Sequence, residues 1–326
     1  MTLARFRFPE DPGGGGAGKV LRGHFLHNES MARHVSWRAG GPAQRVYVPA
    51  DLDDLCALLQ GLDPGEPVHV VGLGSNLLVR DGGLKGVIIL LHGVLDHLAL
   101  ETRSTGLPVP PPGMEASAVV YSQAGVASPK LARFAANHDL VGAEFLAGIP
   151  GTVGGALAMN AGCYGSETWN DVIQVLTLNR RGVLNERRPD EYALGYRHAA
   201  LKKPAEEWFV GGWFRFLKGD GAASREKIRK LLRQRIASQP LSQANAGSVF
   251  RNPPGDYAAR LIQACGLKGT RVGQAQVSET HANFIVNLGG ASAADIEGLI
   301  ERVEEKVAQM TNVRLIREVR IIGERK

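Results

Sequence analysis

The residues with the clearest capacity for chemistry lie in an uncharged run at 147–162, AGIPGTVGGALAMNAG. Its glycines stand among small apolar residues, and because they have no side chains they let a ligand approach the backbone closely. Backbone N–H groups of such a turn, with the start of a helix predicted between Gly154 and Met159, could bind a phosphate. The run therefore predicts a cradle for an anionic cofactor, with a tight helix–strand packing site as the alternative.

A second glycine run, GLGSN at 72–76, follows a short buried strand predicted at 68–71. Gly72 and Gly74 would expose backbone N–H groups, and Ser75 and Asn76 would add side-chain donors for a diphosphate. Neither run matches the GxGxxG or GxxxxGK(S/T) motif, so neither a Rossmann fold nor a P-loop is predicted. Two such runs are typical of a large diphosphate cofactor held from two sides, and FAD is the natural candidate.

The elements that must position these runs are strands mixed with short helices up to residue 219. A helix is predicted to begin with Ser128 as its N-cap and Pro129 in its first turn. A proline-rich surface hairpin loop is predicted at 101–117 and an aromatic-rich strand at 208–217. This mixture indicates an α+β domain.

The pattern becomes more helical after Gly219, which predicts a domain boundary near residue 220. Helices are predicted at 224–238 and after an N-cap at Ser292 with Asp295 in the first turn, and a final strand at 313–322. The predicted organisation is a flexible glycine-rich leader at 1–22, a larger domain at 23–219 and a smaller α+β domain at 220–326.

Length and charge narrow the class of protein. The 326 residues, 44% of them hydrophobic, can bury the cores of more than one domain. The net charge of +6 is spread along the chain except for a basic stretch at 227–235, which is typical of a solvated helix face, so nucleic-acid binding is not predicted. Neither a membrane-spanning stretch nor an apolar signal segment is found, so a cytoplasmic location is predicted.

The three cysteines, Cys56, Cys163 and Cys265, are far apart in the sequence. Their number is odd, and they form no CxxC motif and no paired spacing with histidine. Neither a disulfide framework nor a metal site is therefore predicted, which fits a reducing cytosol.

Three separated motifs carry a resemblance to a known family. Residues 72–79 (GLGSNLLV), 147–167 (AGIPGTVGGALAMNAGCYGSE) and 245–253 (NAGSVFRNP) resemble the UDP-N-acetylenolpyruvoylglucosamine reductases. The stretch 264–284 resembles the shorter, type II branch of that family. The resemblance implies an α+β fold with a vanillyl-alcohol-oxidase/PCMH-type FAD-binding domain at about 41–219 and a smaller substrate-binding domain beyond it.

The reaction implied by the resemblance belongs to the synthesis of peptidoglycan precursors. NADPH reduces a noncovalently bound FAD, and hydride from flavin N5 then reduces the enolpyruvyl ether of UDP-N-acetylglucosamine to give UDP-N-acetylmuramate. The enolate formed on the way needs stabilisation of its negative charge, and it needs a proton.

The resemblance assigns these two tasks to three residues. Ser248, within NAGSVFRNP, matches the family's proton donor, since a carbanionic enolate is basic enough to take a hydroxyl proton. Arg197 matches the arginine that binds and polarises the substrate carboxylate, and Glu318, near the end of the sequence, matches the glutamate that helps to hold the enol-like state.

Binding residues are predicted from the same motifs. Tyr196, Asn252 and Lys268 are candidates for substrate binding, the last two for the diphosphate. The predicted FAD-binding residues are Gly72, Gly74, Ser75, Asn76, Gly148, Ile149, Gly151, Thr152 and Gly154.

Two positions depart from the family's pattern. Residues 34–36, His-Val-Ser, stand where a His-Thr pair is usual, which puts a flavin contact from that threonine in doubt. Arg251 stands where lysine is usual, a change that keeps the positive charge.

Two alternatives stay open from the sequence. One is another FAD oxidase of the same superfamily, which is disfavoured because the arginine, serine and glutamate answer an enolate problem. The other is a noncatalytic module that binds a flavin or a nucleotide sugar. The oligomeric state is open as well, with a monomer as one option.

Overall fold

The computed structural model describes residues 20–101 and 107–326, and its elements are mixed helices and strands. Most of the leader predicted at 1–22 and part of the loop predicted at 101–117 lie outside the described residues. The strands that flank this loop pair antiparallel with each other, as a hairpin loop requires.

A four-stranded sheet forms the first layer. The elements of this part are β1 (His24–Ser30), β2 (Pro42–Val48), α1 (Leu52–Gly61), β3 (Val68–Val71), β4 (Leu77–Val79) and β5 (Leu84–Leu90). The sheet order is β1-β2-β5-β3, with β1 antiparallel to β2 and the other pairs parallel. The strand predicted at 68–71 is confirmed, and the glycine run at 72–76 therefore begins at the carboxyl end of β3.

A larger antiparallel sheet follows. The elements here are β6 (Leu98–Leu100), β7 (Ser117–Gln123), α2 (Ser128–Asn137), β8 (Leu140–Val141), α3 (Val153–Met159), β9 (Gly162–Cys163), β10 (Ser166–Glu167), β11 (Val172–Asn179), β12 (Leu184–Arg187), β13 (Tyr192–Gly195), β14 (His198–Leu201) and β15 (Glu207–Lys218). The order is β12-β11-β15-β7-β6, and β8 pairs with the end of β15. Because successive side chains of β15 point to opposite faces, Phe214 packs with helices α2 and α3 while Trp213 packs with α1.

The helix predicted to start at Ser128 begins one residue earlier than expected. Ala127 is the N-cap of α2, and the Ser128 N–H donates to the Gly151 carbonyl oxygen at 2.9 Å. The Ser128 hydroxyl is buried and has no partner among the described residues, so it caps nothing. The start of the helix is thus held by the glycine run at 147–162 and not by a side-chain cap.

The rest of the chain forms a third, smaller sheet with its helices. The elements are α4 (Gly221–Ser238), β16 (Ala244–Asn245), α5 (Ala258–Ala264), β17 (Arg271–Val272), β18 (Ala275–Val277), β19 (Ile285–Asn287), α6 (Ala293–Thr311) and β20 (Arg320–Ile322). The sheet order is β16-β19-β18-β17. The predicted cap of α6 is confirmed, because Ser292 and Asp295 form a reciprocal capping box.

Two predicted boundaries near these elements are wrong. Helix α4 begins at Gly221 and not at residue 224, because the Asp220 carboxylate accepts hydrogen bonds from the N–H groups of Ala222 and Ala223. The final strand covers only Arg320–Ile322 of the predicted 313–322, because the preceding residues turn to contact a different segment through the Phe250–Arg317 bridge.

Helix α4 packs on the larger sheet's helices. Ile228 is buried in the same apolar cluster as Leu131 and Phe145, and Ser224 donates a hydrogen bond of 2.7 Å to the buried Glu144. The domain boundary at residue 220 stays a prediction, and α4 bridges the elements on its two sides.

The first and last parts of the chain are joined by backbone pairing and by shared core residues. Strand β20 pairs parallel with β4, in the register Ile321 opposite Leu78. Trp37 and Leu78 are fully buried in the apolar cluster of α5, α6 and β18. The Trp37 indole N–H donates to the Ile285 carbonyl oxygen at 2.7 Å, so this residue fastens the first layer to the smaller sheet.

The described residues show neither a membrane-spanning helix nor a cluster of metal-binding side chains. No helix in that part of the chain is long and apolar enough to cross a bilayer. In residues 20–101 and 107–326, no group of three or more His, Cys, Asp and Glu side chains is arranged to hold a metal ion.

Candidate active site

The two glycine runs, predicted separately, face each other in the fold. A Cβ atom on Gly72 would collide with the Thr152 hydroxyl oxygen, and one on Gly151 would lie 3.2 Å from the Ser75 hydroxyl oxygen. Thr152 is the N-cap of α3, which begins at Val153, one residue before the range in which the helix start is predicted. The spacing between the runs is thus set by the absence of side chains at both glycines.

A cleft of about 370 Å³ opens where the glycine run at 72–76 meets the segment before β2. Gly74 has φ of +59°, and its carbonyl oxygen accepts the Ser36 N–H at 3.2 Å, so the wall of the cleft needs glycine at this position. The lining residues are Arg33, His34, Val35, Ser36, Gly72, Leu73, Ser75, Leu90, His92 and Pro150.

The residues of this cleft fit the diphosphate part of FAD. Gly72, Ser75 and Arg33 line the cleft, which gives it a glycine backbone, a hydroxyl group and a positive charge. Ser36, at the position where the family usually has part of a His-Thr pair, lines the same cleft. The serine keeps a hydroxyl group in reach of a bound group.

Several predicted FAD residues have other partners in the structure. Gly154 donates its N–H to the Ala124 carbonyl oxygen at 2.9 Å and lets α3 pack against the end of β7. Gly148 packs on Cys163, and its carbonyl oxygen accepts a hydrogen bond from Arg235, while the Ile149 N–H closes the preceding turn. A direct role of Gly148, Ile149 and Gly154 in FAD binding stays a prediction.

Asn76 connects the glycine run at 72–76 to Glu318, one of the predicted catalytic residues. Its side-chain amide donates to the Glu318 carbonyl oxygen at 3.1 Å, and its backbone carbonyl accepts the Arg320 N–H at 2.9 Å. Both bonds extend the pairing of β4 with β20. The FAD-side run therefore lies directly beside the residue predicted to act on the substrate.

Arg197 and Glu318 form a partly buried ion pair. The Arg197 Nε–H donates to the Glu318 carboxylate at 2.7 Å, and its Nη2 group donates to the Gly162 carbonyl oxygen at 3.1 Å. Arg197 lies in the turn between β13 and β14 with φ of +54°, and the side chains are 17% and 14% exposed. The pair is therefore mostly shielded from water, where its charges interact more strongly.

Ser248 lies next to this pair through backbone pairing. The Val249 carbonyl oxygen accepts the Glu318 N–H at 2.8 Å, and the Arg251 N–H donates to the Ile316 carbonyl oxygen at 2.8 Å. Ser248 is half-buried, and its hydroxyl has no hydrogen-bond partner among the described residues. The structure thus brings the three predicted catalytic residues to one place.

Burial and charge act in opposite directions on Glu318. Burial raises the pKa of the Glu318 carboxyl above its usual value, and the positive charges of Arg197 and Arg251 only partly offset this. Two guanidinium groups and one carboxylate leave one positive charge in the cluster when Glu318 is ionised. The site is therefore suited to a substrate that brings a carboxylate.

Asn160 is a supporting residue that the sequence did not single out. It has φ of +40° at the end of α3, is 3% exposed, and donates to the Glu167 carboxylate at 2.8 Å and to the Gly195 carbonyl oxygen at 3.0 Å. These bonds hold the turn that carries Arg197. Its place in MNAGC, two residues before Gly162, was the only available signal.

The predicted substrate residues are placed less tightly. The Tyr196 side chain is 45% exposed, and the Arg197 guanidinium carbon lies 5.0 Å from its ring centre. The Asn252 side-chain oxygen accepts the Ala258 N–H at 3.1 Å and so caps the start of α5. Lys268 is half-buried near His281, whose pKa is lowered by burial and then by the Lys268 charge.

Comparison with known proteins finds two family profiles that match separate parts of the chain. A family profile described as "FAD binding domain" matches residues 43–186, and one described as "UDP-N-acetylenolpyruvoylglucosamine reductase, C-terminal domain" matches residues 239–322. The chain is 70% identical over 320 residues to the UDP-N-acetylenolpyruvoylglucosamine reductase of Thiobacillus denitrificans, covering 98% of each chain. It is 54% identical over 312 residues to that of Nitrosomonas eutropha, covering 94% of this chain and 91% of the relative.

A solved structure is similar over nearly the whole chain. The crystal structure of UDP-N-acetylenolpyruvylglucosamine reductase from Thermus caldophilus superposes with a TM-score of 0.74 at 31% identity, covering 93% of this chain and 99% of that one. The fold, with its PCMH-type FAD-binding part and its glycine-lined cleft, is that of a FAD-dependent oxidoreductase. The chain belongs to the UDP-N-acetylenolpyruvoylglucosamine reductase family. The predicted resemblance, the α+β fold and FAD as cofactor are confirmed.

Proposed function

We propose that the chain reduces the enolpyruvyl ether of UDP-N-acetylglucosamine to UDP-N-acetylmuramate, with NADPH as electron donor, in the synthesis of peptidoglycan precursors. The observation that carries the proposal is the Arg197–Glu318 pair beside Ser248, joined through Asn76 to the glycine run of the FAD cleft. Bound FAD would supply hydride transfer from NADPH to the substrate.

Arg197 binds and polarises the substrate carboxylate in this proposal. Its Nε group is occupied by Glu318 and its Nη2 group by the Gly162 carbonyl oxygen, which leaves the Nη1 group for a ligand. Because negative charge moves onto the carboxylate as the enolate forms, this hydrogen bond strengthens during the reaction. The burial of the pair excludes water, which would weaken the interaction.

Ser248 and Glu318 complete the proposed chemistry. The Ser248 hydroxyl donates its proton to the carbon next to the substrate carboxylate, which turns the enolate into the lactyl ether. Glu318 orients Arg197 through the 2.7 Å bond and so helps to hold the enol-like state, and burial raises the pKa of its carboxyl above the usual value.

The location and partners follow from the same proposal. The substrate is a UDP-sugar, and Tyr196, Asn252 and Lys268 are proposed to contact it. Cys56, Cys163 and Cys265 form no disulfide among the described residues, which supports a cytoplasmic location. A monomer can carry out the reaction, since Arg197, Ser248 and Glu318 come from one chain.

The test separates the two halves of the reaction under anaerobic conditions. The purified protein is expected to be yellow, to bleach with NADPH, and to recover its flavin absorbance when UDP-N-acetylglucosamine enolpyruvate is added. A flavin-loaded protein that bleaches but is not restored by that substrate contradicts the proposal and favours an oxidase or a binding module.

A further inference from the structure

We propose that Arg251 is a positioning residue that holds the Arg197 backbone and balances the charge of Glu318, a role that rests on the proposed function. Its Nη2 group donates to the Arg197 carbonyl oxygen at 3.3 Å. Its own backbone N–H donates to the Ile316 carbonyl oxygen at 2.8 Å, two residues before Glu318. Arg251 therefore contacts both segments that carry the ion pair.

The bond to the Arg197 carbonyl oxygen matters because of the backbone at that residue. Arg197 has φ of +54°, a left-handed conformation that costs a residue other than glycine roughly 1 kcal/mol or more. Such a conformation persists only where its surroundings hold it. Asn160 holds one end of the turn through the Gly195 carbonyl oxygen, and Arg251 holds the other end through Arg197 itself.

The charge of Arg251 acts on the same carboxylate as the charge of Arg197. The charged groups facing the Glu318 carboxyl are Arg197, from the β13–β14 turn, and Arg251, from the segment paired with 316–318; Asn76, from the end of β4, bonds only the Glu318 backbone. Without the Arg251 charge, only the charge of Arg197 opposes the effect of burial on the pKa of Glu318. The pKa of Glu318 would then rise further.

Arg251 contacts Arg197 through one nitrogen of its guanidinium group. The Arg251 Nε–H is buried without a partner among the described residues, while Nη2 reaches the Arg197 carbonyl oxygen. An unpaired buried donor destabilises a fold by about 1–3 kcal/mol. Lysine would supply the charge without the planar fork, so Arg251→Lys separates the effect of the charge from that of the guanidinium shape.

The test measures flavin reoxidation by the enolpyruvyl substrate against pH in wild type, Arg251→Met, Arg251→Lys and Glu318→Gln. In Arg251→Met, we expect the limb of the pH–rate profile that reports the titration of Glu318 to move to higher pH by about one pH unit. The rate at the optimum should fall about tenfold. Arg251→Lys should restore the position of the limb more fully than the rate. Combining Arg251→Met with Glu318→Gln should remove the limb, which assigns it to Glu318.

The matched control is Arg260→Met, which removes an arginine of α5 that is paired with Asp256 and 60% exposed. Its profile should superimpose on that of wild type. If Arg251→Met does not retain FAD, Arg251→Gln is measured in its place, since it removes the charge and keeps an N–H donor.

Two kinds of failure are distinguishable. A wild-type flavin that the substrate does not reoxidise overturns the proposed function. A wild type that turns over normally, with an Arg251→Met or Arg251→Gln limb at the wild-type position, overturns the role of Arg251 alone.

Discussion

Arg197 depends for its position on groups that no motif of the sequence connects. The residue itself, with Ser248 and Glu318, could be predicted because the motifs around them resemble a known family. The contacts could not, since Arg197 and Glu318 are 121 residues apart and the turn of Arg197 has a left-handed backbone held by Asn160. Motifs identify reacting side chains, whereas the residues that support them depend on tertiary pairing.

Ser248→Ala tests the proton donor directly. We expect the half-reaction with the enolpyruvyl substrate to slow by about 10²–10⁴-fold, because the enolate loses its positioned acid. Reduction of the flavin by NADPH should change little, and stopped-flow absorbance measures both steps. Ser242→Ala, which changes an exposed serine between α4 and β16, is the control and should leave both steps as in wild type. Equal loss of both half-reactions in Ser248→Ala would instead assign Ser248 to folding or flavin binding.

Helix α6 illustrates what can and cannot be predicted for a single element. Its cap at Ser292, with Asp295 in the first turn, was predicted from the sequence and is confirmed. Its attachment to the first layer could not be predicted. The Asp81 carboxylate, which accepts the N–H groups of Ala293 and Ala294, lies more than 200 residues away in the sequence. Arg80 adds a bidentate bond to Glu297 at 2.8 and 2.9 Å.

Glu297 should make the stability of the protein sensitive to acid. The Arg80 guanidinium lowers the pKa of Glu297 from 4.5 to about 2, so the folded state favours the ionised carboxylate. This contribution, about 3 kcal/mol, is present above pH 4.5 and is lost as the pH falls from 4.5 towards 2. Urea unfolding of wild type and Glu297→Gln should differ most at pH 7 and converge as the pH falls through that window.

The control for that series is Glu305→Gln, an exposed glutamate on the same helix. Its free energy of unfolding should follow that of wild type at every pH. A constant gap between Glu297→Gln and wild type from pH 7 to pH 3 would show that the carboxylate charge is not what stabilises this contact.

The whole molecule is held together by crossings between its first and last parts. The fold class and the order of its elements follow from the sequence, because strands, caps and turns leave local signals. The burial of Trp37 and Leu78 in the core of the smaller sheet could not be predicted, since their neighbours in the sequence belong to the first layer. The sequence shows that a residue is apolar, but it does not show in which core of the molecule that residue is buried.

Asn287→Ala should weaken this junction. The Asn287 side chain donates to the Trp37 carbonyl oxygen at 2.9 Å and accepts the N–H groups of Gly289 and Ala291 at 2.8 and 3.0 Å. Its removal leaves buried polar groups unpaired, so we expect a loss of about 2–4 kcal/mol in the free energy of unfolding. Chemical denaturation of Asn287→Ala beside Asn170→Ala, an exposed asparagine, measures the effect. A loss no larger than that of the control would mean that the junction rests on apolar packing alone.

The bond between Asn76 and Glu318 also sets an order in time. The two residues are 242 positions apart, so the ribosome completes the glycine runs, Arg197 and Ser248 before it adds Glu318. Synthesis at roughly 5–20 residues per second separates Asn76 from Glu318 by tens of seconds at the slower rate. During that interval a nascent chain can gather the residues of the flavin cleft while Arg197 has no carboxylate partner. A chain stalled before residue 318 therefore lacks the carboxylate partner of Arg197, and the proposed substrate site is complete only late in synthesis.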